Sequence, residues 1–98
     1  MSYNGWTNYE TWNVKLWLDN EQGSCYAMEE LAAEYREEDS WKLGDAIQAW
    51  CEEFYPELEP SMFSDLLRSA FDEVNWREIA EAYLEDLPDL EDDEEDEN

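Results

Sequence analysis

Apolar residues recur along this chain three and four positions apart in at least four separate segments, the spacing of amphipathic helices. The clearest stripe is Met28, Leu31, Ala32 and Tyr35, which predicts one buried helix face over residues 24–38, with Ser24 as its cap. Upstream, Tyr9, Trp12 and Leu16 share one face, and Val14, Trp17 and Leu18 lie on the next. More than half of that circumference is apolar, so this first helix is expected to be central and to end near Asn20, before the break Glu21-Gln22-Gly23. Its start is expected at Thr7-Asn8-Tyr9-Glu10, where threonine and glutamate three apart have the form of a capping box. Leu43, Ile47, Trp50, Cys51 and Phe54 predict a third helix over residues 40–55, capped by Ser40 and stopped by the segment from Pro56 to Pro60. Phe63, Leu66, Leu67, Ala70 and Val74 predict a fourth, facing inward and capped by Ser61. Trp76, Ile79, Ala80, Tyr83 and Leu87 predict a fifth, begun by the pair Asn75 and Glu78. The fourth and fifth can equally form one bent helix. No segment alternates strictly, although the turn dipeptide Asn4-Gly5 leaves room for short irregular pairing. The expected fold is all-α: a single compact domain of four to five amphipathic helices over residues 1–87, with a disordered acidic tail over residues 88–98.

Charge changes this picture more than composition does. Apolar residues make up 43% of the 98-residue chain, enough for one core. Acids outnumber bases 29 to 5, for a net charge of −24. Eight of the acids follow Pro88, so residues 1–87 hold 21 acids against five bases and still carry −16. Such a charge opposes compaction, repels nucleic acid and anionic membranes, and steers the chain toward basic protein surfaces. The acids fall in helical register: Glu30, Glu34, Glu37 and Glu38 on the second helix, Asp45 and Glu52 on the third, Asp65 and Asp72 on the fourth, Glu78, Glu81 and Glu85 on the fifth. Like charges at these spacings cost about 0.2–0.5 kcal/mol per pair. Most acids of the chain have no basic neighbour to find, and these eleven are expected to be unpaired, which makes them the candidate partner-binding residues. A compact domain of this length has a diameter of roughly 32 Å, and the same length of duplex DNA carries on the order of 19 charges. That comparison points to nucleic-acid mimicry. A protein-interaction module without mimicry, or a merely solvated surface, accounts for the same acids.

Catalytic chemistry is sparse. There is no histidine, and only three glycines, none in a phosphate-binding loop. Cys25 and Cys51 lie far apart on apolar stripes and read as buried, reduced thiols, with a disulfide the alternative. Asp19, Glu21 and Glu30 occupy positions 1, 3 and 12 of a calcium-loop pattern that fails at Gly23 and Ser24, so the match reads as coincidence. The expectation is a protein that is not an enzyme, with no catalytic residue, no cofactor and no metal site. No apolar stretch approaches the ~18 residues of a membrane span, and no leader is evident, which places the chain in the cytoplasm by default.

The run Asn4-Gly5-Trp6-Thr7-Asn8-Tyr9-Glu10-Thr11-Trp12-Asn13-Val14, continuing through Leu16-Trp17-Leu18-Asp19-Asn20, resembles the motif of a family of small domains of unknown function associated with bacteriophages, plasmids and bacterial genomes. The resemblance implies a mobile-element context. In that context an acidic mimic would inhibit a basic, nucleic-acid-binding protein such as a host restriction or CRISPR-type nuclease, without itself binding nucleic acid or membrane. The alternative is a regulatory module that holds a basic partner without mimicry. The motif's own residues read as helix caps and packing groups, with Trp6 and Trp41 as candidate exposed anchors.

Overall fold

A computed structural model describes residues 3–87 and places five helices there: α1 (Tyr9–Asn20), α2 (Gln22–Glu34), α3 (Ser40–Glu52), α4 (Met62–Asp72) and α5 (Trp76–Asp86). The expected tail lies outside the described residues. The all-α expectation holds. Among the described residues the only strand-like pairing is an isolated bridge between Tyr3 and Trp6, closed by Asn4 and Gly5 with φ of 49° and 89°. Positive φ at both central residues is the requirement that Asn-Gly turns meet. The turn sets the Tyr3 ring against Tyr9 and Trp12, at centroid distances of 5.3 and 5.0 Å. Among the described residues no helix is long and apolar enough to cross a membrane.

The helix at the centre is α5, not α1. It packs most extensively on α3 and also touches α2 and α1, and it buries Trp76, Ile79, Ala80 and Tyr83. These meet Leu43 and Ile47 of α3, Met28 and Ala32 of α2, and Leu18 of α1 in one core. The stripes predicted for α2, α3 and α5 therefore face inward as expected, except that Phe54 lies past the end of α3 and is exposed. The first helix differs: only Thr11 and Leu18 are buried, while Tyr9, Leu16 and Trp17 are exposed. A wide apolar surface gave the wrong rank because part of it is left open.

The boundaries shift where a different cap is available. Asn8, not Thr7, caps α1, accepting the amide of Thr11. The chain bends only at Glu21, so Gln22 and Gly23 already belong to α2, and Ser24 is buried inside it. Asp39, one residue before Ser40, caps α3 by accepting the amide of Lys42. Ser61 caps α4 as predicted, with Ser64 completing the box, and Asn75 caps α5 by accepting the amide of Glu78. Helices α4 and α5 are separate.

α3 reaches α5 closely because Gly44 has no side chain. A Cβ at that position would sit 3.1 Å from the backbone of Trp76 and Arg77. Backbone atoms at a capped helix start cannot swing aside as a long side chain can. Gly44→Ala is expected to lower stability by about 1–2 kcal/mol, although alanine is the better helix former by ~1 kcal/mol. Thermal or urea unfolding checks this, and a more stable variant would show that the helices can separate at no cost.

Candidate partner-binding surface

The N-termini of α1 and α5 meet and exchange hydrogen bonds. Asn8 Oδ1 accepts both the amide and the hydroxyl of Thr11, at 2.9 and 2.6 Å. The Thr11 hydroxyl oxygen in turn accepts the amide of Asn75, at 2.8 Å. Asn8 Nδ2 donates to the carbonyl of Glu73 at 2.8 Å, and Glu78 Oε1 accepts the amide of Thr7 at 3.1 Å. The third residue of each helix thus receives an amide from the cap region of the other. Glu10 and Glu78 put negative charge at the two converging N-termini, which are the positive ends of the helix dipoles. Thr7, Asn8 and Thr11 of the N-terminal motif are therefore fastening residues, and Thr11 is fully buried.

Lys15 is the most enclosed of the four ion-paired bases, its side chain 13% exposed. It pairs with Asp19 and lies 4.5 Å from the ring centroid of Tyr83, whose hydroxyl donates to the same carboxylate at 2.7 Å. Asp19 is thus committed to a lysine and a phenol within a helix, which leaves no calcium loop. Burial, then the hydrogen bond to Asp19, pushes the Tyr83 hydroxyl well above its usual pKa.

The eleven predicted acids are spread over four helices and a turn. Glu30 and Glu34 lie on α2, but that helix ends at Glu34, so Glu37 and Glu38 fall in the connection to α3 and the four-residue stripe is broken. Three of the eleven are paired, contrary to expectation: Glu38 with Lys42 at 3.1 Å, Asp72 with Arg68 at 3.7 Å and Glu81 with Arg77 at 3.2 Å. Each pair is local, four residues apart, because a base on these helices has an acid within reach on its own turn. Exposed pairs of this kind contribute about 0–1 kcal/mol. Glu78 belongs to the helix junction described above. Glu52 accepts from Gln48 at 3.4 Å. Glu30, Glu34, Glu37, Asp45, Asp65 and Glu85 are exposed and stand outside the four ion pairs.

The sequence reading missed an apolar groove. A cavity of about 650 Å³ opens where α1, the start of α2 and the end of α3 meet α4 and α5. Val14, Trp17, Leu18, Trp50, Phe54 and Phe71 line it, and Glu21 supplies the one charge on its wall. Trp17 and Phe54 are 62% and 68% exposed. The Trp50 and Phe54 rings pack at a tilt, their centroids 4.8 Å apart. Trp6 packs against the core, whereas Trp41 is exposed as anticipated, with the Arg77 guanidinium 4.9 Å from its ring centroid.

Residues 1–97 match a family of unknown function (DUF7249). The chain belongs to that family. No curated protein and no solved structure is detectably similar to it. Because the match spans the described domain, the fastening residues, the groove and α4 all lie within the family's own length.

Cys25 and Cys51 are both free and half-buried. Burial, then the nearby Glu52, pushes the Cys51 thiol up to about 11. A folded-state pKa above the unfolded value of 9.0 means the neutral thiol is preferred in the fold. Its contribution to stability is complete below pH 9 and is lost as pH rises through about 11. Tyr83 acts in the same direction. The melting temperature should fall between pH 9 and 11, and Cys51→Ala should reduce that fall. A melting temperature flat across this range would contradict the burial assigned to both groups. A second substitution tests the helix junction. Thr11→Val keeps the shape but leaves the Asn75 amide without its acceptor, and should cost about 1–3 kcal/mol in urea unfolding.

Proposed function

We propose that this domain is a non-catalytic, acidic binding module whose partner is a protein with a basic surface. One observation carries the proposal: an open groove walled by aromatic side chains, set in a domain whose residues 1–87 carry −16. Aromatic residues at the centre of a patch supply most of the affinity of protein contacts, and surrounding charge supplies selection and speed. The two free thiols suit a reducing compartment such as the cytoplasm.

A second reading has one observation of its own. Six exposed acids, Glu30, Glu34, Glu37, Asp45, Asp65 and Glu85, stand outside the ion pairs and can take the place of phosphates in a nucleic-acid-binding site. On that reading the domain inhibits a DNA- or RNA-binding protein, a host restriction or CRISPR-type nuclease among them. The two readings separate in one experiment on a purified target. As a module, the domain binds the target together with DNA, and Trp17→Ser weakens the complex more than reversal of Glu30, Glu34 and Glu37 to lysine. As a mimic, it is displaced by DNA and the charge reversal dominates. Both readings expect the complex to weaken as salt rises. A complex indifferent to salt and to both sets of substitutions would dismiss them together.

A further inference from the structure

α4 has 11 residues, fewer than the ~12–15 at which an isolated helix becomes even marginally stable in water. The Ser61–Ser64 box fixes where it begins, but a helix this short is held mainly by packing. Yet none of its residues is buried. It meets the rest of the domain along one edge, where Phe71 contacts Trp76 and Tyr55 at centroid distances of 5.2 and 5.3 Å. At 100° per residue, Met62, Phe63 and Leu66 lie together on the adjoining arc. They are 65%, 68% and 62% exposed. Phe71 is also a wall of the groove, so the open face of α4 borders it.

Charge selects what covers this face. Residues 57–73 hold Glu57, Glu59, Asp65, Asp72 and Glu73 against one base, Arg68. The Arg68 guanidinium is already engaged, by Asp72 at 3.7 Å and by the Tyr55 ring at 4.4 Å. A second copy of the chain would bring the same five acids to the contact and be repelled, whereas a cationic segment is attracted. We infer that α4 is a docking helix, completed by an amphipathic helix of the basic partner. That helix lays its apolar side on Met62, Phe63 and Leu66 and turns lysine or arginine toward the flanking carboxylates. The inference rests on the binding reading above and names where the contact is made.

The test uses the full chain and a synthetic leucine–lysine peptide of about 18 residues, about 27 Å long as a helix, with leucines at helical spacing. A scrambled isomer of equal charge is the control. Calorimetric titration should show the helical peptide binding about tenfold or more tightly than the isomer, and Phe63→Ser with Leu66→Ser should remove that advantage. The substituted residues are exposed, so circular dichroism and melting temperature should match the parent chain. Equal binding of both peptides, or an advantage that survives in this variant and vanishes in Trp17→Ser, would overturn the docking helix while leaving the binding reading intact. Sedimentation showing a dimer that the α4 variant disperses would also overturn it, because the occupant would then be a second copy. Failure of both peptides to bind would remove this inference and the binding reading together.

Discussion

Two helix N-termini converge in this fold, and the hydroxyl of Thr11 is where they are joined. It donates to the Asn8 side chain that caps α1 and accepts the amide of the residue that caps α5. Converging N-termini bring two positive dipole ends together, which is unfavourable unless oxygens and carboxylates surround them. Asn8, Asn75 and Glu78 supply those groups, and the carbonyl of Glu73 closes the set. With the start of α5 fixed in this way, its buried face is set at the correct height for Gly44 to approach Trp76. The α3–α5 core depends on that alignment.

The charge balance limits what ion pairs can do for the fold. Among the described residues, four of the five bases pair with acids four residues away. In three of these pairs the base precedes the acid, the weaker order along a helix. None of the four joins two helices. Tertiary cohesion therefore falls on apolar burial, on the hydrogen bonds at the helix junction and on the Tyr83–Asp19 hydrogen bond between α5 and α1. Excess carboxylate on the surface then lowers stability without disturbing any contact on which the core depends, so the surface is free to serve binding.

Much of the architecture was legible in the sequence, for a physical reason. The stripes on α2, α3 and α5 match buried faces because each is narrow and bounded by charge. On α1, on α4 and just past the end of α3 the same reasoning placed Leu16, Trp17, Phe63, Leu66 and Phe54 inward, and they are exposed. Periodicity shows that a face is apolar but not whether this chain itself covers it. The caps missed by a residue or more, Thr7 for Asn8 and Ser40 for Asp39, reflect the same limit. A cap is chosen by the partners its side chain meets, and Asn8 meets a carbonyl 65 residues away. Nine of the eleven acids are exposed, and Glu78 and Glu81 are half-buried. Their pairing was not legible, because Glu38, Asp72 and Glu81 take up bases that the count of charges treats as negligible.

The unburied state of α4 divides the domain into two tiers of cooperativity. Amides of α3 and α5 exchange with solvent only when the shared core opens. Those of α4 need only its single edge of contact to part, and the proline-bounded segment from Pro56 to Pro60 before it transmits little of that event to α3. Helical order in α4 is then a local equilibrium, separate from the global one. Whatever binds there adds its free energy to that equilibrium first.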